Sequence, residues 1–437
     1  MSKLVTFEQQ NTHSAAIDIG SRKIYVSADG ITVKSYETFT AGYRECIRDL
    51  KAEGVRQVCM EATGVYWIAL HEMLESAGLQ VCLVHPKEVK QVKGRKTDVS
   101  DACWIQKMFS AGLVRQSYIP SGKLKELRML IREREDILSI ASGYVNKMQK
   151  ALELMNVKLT QVLCQINGVS GIRVIEAILE GERDKQALLN LCHKSIREKK
   201  SDQVLNALDG NYNESWLFLL AQSLKLWKIH QQELKVVDLR IESLLAFLEQ
   251  DKPVVVGTHP VKAIRHHKPQ IKELHQKLLT IYGVDMNCLP GITDYSLLKL
   301  LAEIGTDMER FPTVKHFVSW CGLSPGHHQS GYSNRKPRIK NRSMAGQIFR
   351  GLAQSLMISK HIAIGAFIRK LRSRKDSRVA IKAGARKIAE AFYNLLTKGA
   401  DYVEQGTAKY EQLLKDKERK YLQKLACKHN MYLFETQ

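Results

Sequence analysis

The sequence predicts an α/β layer of mixed strand direction at the amino end, followed by a chain that is helical throughout. Three observations lead there. Short apolar runs alternate with amphipathic stretches between about His13 and Leu113. From Leu124 onward, apolar residues recur at four- and three-residue steps instead. A heptad-spaced run then reaches Leu248 and stops at Asp251-Lys252-Pro253. Alternation at period two builds strands, and the longer period builds helices. At 437 residues the chain holds two or three domains and buries a core without disulfides or structural metals. The expected boundaries are 1–120, 121–258, 259–400 and a helical tail over 401–437.

The first strand is Ala15-Ala16-Ile17-Asp18-Ile19, turned at Gly20-Ser21 into a second through Ile24-Tyr25-Val26. Further strands are expected near residues 32, 57 and 81, with helices from about 40, 65 and 97. Glu61 ends the apolar run Val58-Cys59-Met60, and Asp98 and Asp101 lie three apart, on one face if a helix begins there. Acids at strand ends and on a helix face can meet around a divalent metal ion, and such a site performs phosphodiester cleavage. Singly, each has a plainer use: an aspartate near a glycine turn shapes the turn, and Asp98 or Asp101 favours a helix N-terminus.

Ile137, Ala141, Tyr144, Met148, Ala151 and Met155 form one coiled-coil seam, and Leu220, Trp227, Leu234, Ile241 and Leu248 form a second. The two long helices pair either antiparallel within one chain or between chains. Gly168 to Asn213, between them, reads as small helices with polar joints such as Asp209-Gly210-Asn211. After a linker around His259-Pro260 a helix runs to Tyr282, followed by Leu289-Pro290-Gly291-Ile292-Thr293 and the apolar helix Leu297 to Ile304. A Pro-Gly turn between helices is helix-hairpin-helix-like. Backbone amides near Gly291 could hold a DNA phosphate there, or the turn is simply a turn.

The formal charge is +22, which favours a polyanionic partner and nucleic acid first. No apolar run is long enough to span a bilayer, and Met1 to Ser14 is too polar for a signal peptide, so a cytoplasmic protein with no membrane partner is expected. The nine cysteines show no C-x-x-C pair and read as reduced thiols, Cys59 and Cys82 within buried strands. No Asp or Glu occurs between Glu309 and Asp376, whereas Arg335, Lys336, Arg338, Lys340, Arg342, Arg350, Arg369, Lys370, Arg372, Arg374 and Lys375 all do. That stretch is the expected phosphate-binding surface. Within it, Gly326-His327-His328-Gln329-Ser330-Gly331 reads as a loop, its serine and histidines either catalytic or plain polar surface.

These residues resemble a known family. Asp18 in AIDIGSRKIYV, Glu61 in MEATGVYW and the pair in KTDVSDA are similar to the DEDD, RuvC-like (RNase H-like) domain of insertion-sequence transposases of the IS one-ten family. LPGITDYSLLKLLAEIG, RFPTVKHFVSWCGLSP, HHQSG and the basic run after it resemble that family's C-terminal transposase domain. The resemblance implies that Asp18, Glu61, Asp98 and Asp101 bind magnesium and that Ser330 becomes covalently joined to DNA. It also implies donor and target DNA, a noncoding bridge RNA, and a homo-oligomer, dimer or tetramer, in which acids of one subunit face the serine of another. The helical segment from Gly168 to Gln250 exceeds that of shorter members.

The mechanism expected from this set is two-metal phosphoryl transfer with Ser330 attacking in line, and Arg335, Lys336 and Arg338 clamping the backbone. The alternatives are a metal-dependent junction-resolving nuclease that uses water, a sugar-kinase-like ATPase built on Asp18-Ile19-Gly20-Ser21, and a noncatalytic nucleic-acid scaffold. The ATPase reading lacks a second Asp-x-Gly-Gly-Thr loop.

Overall fold

The computed structural model describes residues 9–62, 64–84, 98–114, 116–118, 120, 122–325, 328–330, 333–335, 343–359, 362–399 and parts of 412–431. The chain divides into two compact units, Met1–Ile119 and Pro120–Gln437.

The first unit is a five-stranded sheet in the order β3-β2-β1-β4-β5. Its strands are β1 (Ser14–Ile19), β2 (Lys23–Ser27), β3 (Lys34–Glu37), β4 (Gln57–Glu61) and β5 (Gln80–Val84). β1, β2 and β3 are antiparallel neighbours, while β1, β4 and β5 run parallel, so the mixed layer is as expected. Parallel strands covered on both faces need apolar residues at every position, which explains the unbroken runs Ala15-Ala16-Ile17 and Val58-Cys59-Met60, all fully buried. Ala15, Ile17, Val58 and Met60 pack with Cys46 and Leu50 of helix Thr40–Ala52 and with Leu70 and Leu74 of helix Trp67–Ser76. Ala16, Cys59 and Val84 pack on Ile105 and Phe109 of helix Asp98–Ser110. The strand expected near residue 32 begins at Lys34 instead. Asp29 delays it by accepting the amides of Ile31 (2.8 Å) and Thr32 (2.7 Å) and the Thr32 hydroxyl (2.6 Å) in a side-chain-closed turn.

The second unit is helical. Helices Gly122–Leu154 and Glu214–Glu249 pair antiparallel within the chain: Leu127 shares a core with Leu245, Arg134 meets Asp238, and the Tyr144 and His230 rings are 5.3 Å apart. Met148 and Ala151 share a core with Leu220. Both predicted seams lie in this pairing, Ile137, Ala141, Met148, Leu234 and Ile241 being buried and Tyr144 and Trp227 half-buried. At one end the pair carries helices Val169–Leu179, Lys185–Asn190 and Lys194–Ala207, which close a small core of their own. The other end joins the main core, built with helices Leu274–Tyr282, Asp294–Ile304, Val314–Trp320, Met344–Leu356, Ala363–Arg372 and Ser377–Lys398. The helix expected after the linker around His259-Pro260 spans Leu274–Tyr282 and ends where expected. Pro253, Pro260 and Pro269 each remove an amide donor and keep the preceding stretch irregular. No described helix is long and apolar enough to cross a membrane, and none of the nine cysteines is in a disulfide.

Glycine is indispensable where helix Met344–Leu356 crosses the chain before it: a Cβ on Gly346 would lie 1.9 Å from the Cys321 carbonyl oxygen. Gly351, on the same helix, has nothing within 4 Å. Gly346→Ala is therefore expected to destabilise by about 1–3 kcal/mol or more through forced backbone movement. Gly351→Ala should stabilise by roughly 0.5–1 kcal/mol through lost unfolded-state freedom. Chemical denaturation of the two variants checks the opposite signs, and equal midpoints would refute the close-approach account.

Candidate catalytic site

Asp18 is the fifth residue of β1, half-buried between Ile17 and Ile19, whose side chains enter the opposite face. The parallel register pairs Ala16 with Cys59 and Ile17 with Met60, so one step further Asp18 stands beside Glu61, the last residue of β4. Both positions are on the sheet face that carries Ala16 and Cys59, the face covered by helix Asp98–Ser110. The direction of that helix follows from its hydrogen bonds. The Gln106 amide donates to Ser14 O (3.4 Å) and Ala28 O (3.0 Å), Asn11 donates to Phe109 O (2.6 Å), and the Gln10 amide donates to Ser110 O (2.8 Å).

The helix therefore ends at the start of β1 and runs against it. From Gln106 back to Asp98 the helical rise is roughly 12 Å. From Ser14 forward to Asp18 the strand rise is roughly 13 Å. The helix thus begins level with the Asp18–Glu61 edge, and Asp101, half-buried, is one turn in. The Asp98 side chain lies outside the described residues. Among those described, no group of three or more His, Cys, Asp or Glu is close enough to hold a metal ion. Hard carboxylate oxygens still suit magnesium, which is ordinarily held by one or two carboxylates together with substrate phosphate and water rather than by a closed protein cage. Behind the acids, Cys59 and Cys82 are register partners on β4 and β5. Hydrogen bonding to Cys82 and burial both push the Cys59 thiol far up, so it is a neutral core group.

Ser330 belongs to the second unit and lies in a strand rather than a loop. β6 (His328–Ser330) pairs antiparallel with β7 (Ser333–Arg335), with Ser330 opposite Ser333 and His328 opposite Arg335. This corrects the loop expected from the flanking glycines. Polar alternation over so few residues leaves no period-two apolar signal to read. By register His328, Ser330, Ser333 and Arg335 fall on one face of the ribbon, and Ser330 is the last paired residue before the connection. His327, Lys336, Arg338, Lys340 and Arg342 lie outside the described residues.

The remaining cations of the acid-free stretch divide by what they touch. Arg350 donates to Gly322 O at 3.1 Å, and Arg369 donates to Met357 O at 3.2 Å and to Ser359 O. Both thereby satisfy carbonyls at helix ends instead of facing solvent. Lys370, Arg372, Arg374 and Lys375 are exposed. The signal for this division was the position of the helix ends, which composition does not reveal. Gly291 has φ +76, and a Cβ there would come within 2.9 Å of Leu356, so the turn requires glycine. The helix after it opens with a capping box in which the Ser296 amide donates to Thr293 and the Thr293 amide donates to Ser296 Oγ, and Asp294, Tyr295 and Ser296 are buried. Those amides are committed internally, which gives Gly291 a folding role independent of any phosphate.

Comparison with known proteins adds an independent line. Residues 15–157 match a DEDD domain of IS110 type described as transposase, and residues 286–363 match the transposase IS116/IS110/IS902 family. The chain is 32% identical over 96 residues to the pilin gene-inverting protein of Moraxella bovis, and equally so to that of Moraxella lacunata. Each alignment covers 19% of this chain and spans 28% of the relative's length.

Proposed function

Because the chain belongs to the IS110 (IS one-ten) family of transposases, we propose that it is a DNA recombinase that breaks and rejoins insertion-sequence strands through a covalent phosphoserine. The observation that carries this reading is the register that sets Asp18 beside Glu61 under the first turns of the helix bearing Asp98 and Asp101. Those four acids would hold magnesium, as two ions. Bound there, magnesium supplies charge neutralisation at the scissile phosphate and at the departing sugar oxygen.

Ser330 Oγ forms a bond to phosphorus as the phosphorus–sugar oxygen bond breaks, its proton passing to a base and the sugar oxygen leaving as a hydroxyl. A hydroxyl of a second DNA end then attacks the same phosphorus and frees the serine, conserving the bond energy that a hydrolytic nuclease would lose. Arg335, paired with His328 in the ribbon, would bind a phosphate oxygen, and Lys336, Arg338, Lys340 and Arg342, which follow it in sequence, would contact the DNA backbone. Donor and target DNA, a bridge RNA that selects them, and a dimer or tetramer pairing the acids of one subunit with the serine of another complete the proposal. So do cytoplasmic action and the functional division at residues 120, 258 and 400.

The test uses the full chain, magnesium, co-expressed RNA and labelled junction DNA. Asp101→Ala should lower strand cleavage by about a hundredfold or more while DNA binding persists. Cleavage at the wild-type rate would remove the acids from the chemistry, and cleavage without RNA would remove the guide.

A further inference from the structure

A cleft of about 310 Å³ opens between helices Gly122–Leu154 and Glu214–Glu249 and the segment 267–270, away from the serine ribbon in sequence and unused by the chemistry above. Its floor is the pair Arg134 and Asp238, each 2% exposed, with Arg134 Nε donating to Asp238 Oδ1 at 2.6 Å. The two charges cancel, so the interior offers little to a free anion. Leu138, Val145 and Leu234 give it apolar walls, and Trp227 and His267 add flat rings.

The side-chain amides of Asn167 and Gln231 also line the cleft, and neither makes a hydrogen bond among the described residues. Such amides suit a ring with donors and acceptors on its edge rather than a hydrocarbon. Outside, Lys268 stands at the margin within the exposed run Arg265-His266-His267-Lys268, and neither Lys268 nor Arg265 has an ion-pair partner among the described residues. A neutral floor, flat rings, uncommitted amides and an outer cationic edge together describe a base with its phosphate left in solvent.

We propose that this cleft takes a single unpaired nucleobase of the nucleic acid the protein recombines. The ring enters beside Trp227, its edge is met by Asn167 and Gln231, and its phosphate stays against Lys268. The proposal rests on the recombinase reading and adds a base-holding site to it.

The probe is a short single-stranded DNA carrying one 2-aminopurine, compared with the same strand annealed to its complement, each titrated against the full chain. Wild type should quench 2-aminopurine in the single strand and not in the duplex. Trp227→Leu should abolish that quenching and weaken single-strand binding about tenfold, with duplex binding unchanged. Because Trp227 also packs in the neighbouring core, Asn167→Ala with Gln231→Ala provides a second variant, expected to weaken the single strand several-fold at an unaltered circular dichroism spectrum. Single-strand binding and quenching at wild-type levels in both variants would overturn the cleft assignment alone. A wild type that binds neither strand nor duplex would overturn the recombinase reading and this inference with it.

Discussion

Ser330→Ala is expected to eliminate the protein-linked DNA strand, a fall on the order of 10⁴-fold or more in adduct formation, while leaving DNA binding intact. A nucleophile has no substitute when its oxygen is the atom that forms the bond. Ser330 is the final paired residue of β6, so its backbone is held by the ladder on one side and meets the connection on the other. That position presents one residue at the ribbon's end with a fixed register. Ser333 is the control, because it is the residue directly opposite and carries the same hydroxyl. If Ser333→Ala loses the adduct and Ser330→Ala keeps it, the role moves across the ribbon. Strand breaks without any denaturation-resistant adduct would replace the serine mechanism with water attack by the same acids. Gel separation of labelled junction DNA under denaturing conditions distinguishes the three results.

Much of this architecture was legible in the sequence because burial on two faces and burial on one face leave different residue patterns. Ala15 to Ile17 and Val58 to Met60 read as central strands for the reason they fold as such: no position on them meets water. The seams through Ile137 and Ile241 were equally plain, yet the sequence left open whether they met within one chain. Spacing gives the apolar stripe, whereas the cross-pairing of Arg134 with Asp238 and of Arg240 with Glu126 depends on residues more than a hundred positions apart. Where the reading failed, side chains had replaced the expected backbone pattern. Asp29 closed a turn ahead of β3, and Arg350 and Arg369 turned inward to carbonyls. The serine ribbon escaped notice because His328-Gln329-Ser330 and Ser333-Asn334-Arg335 contain no apolar residue whose alternation could signal a strand.

The largest effect on stability is expected at Asp238. Arg134 is buried to the same extent, and its guanidinium is fully engaged: Nε and Nη2 donate to Asp238 at 2.6 and 3.5 Å, Nη1 to Tyr295 Oη at 2.7 Å, and Nη2 also to His267 O at 3.1 Å. Burial lowers the Arg134 pKa, but the Asp238 hydrogen bond and the neighbouring charges outweigh it and the net shift is upward, so the cation persists. Asp238 also accepts the Gln270 amide at 2.8 Å. Asp238→Ala would leave that cation in the core with no counterion, an expected cost of about 3–5 kcal/mol.

Removing both charges as Arg134→Met with Asp238→Leu should cost less than the single change, because no buried ion remains and the partners lost are neutral: the Gln270 amide, the His267 carbonyl and the Tyr295 hydroxyl. Urea unfolding followed through the tryptophans of the second unit supplies the comparison. A double variant less stable than Asp238→Ala would mean that the ion pair contributes net stability beyond its own desolvation, and that its neutral floor was selected for strength rather than for keeping the cleft above it free of charge.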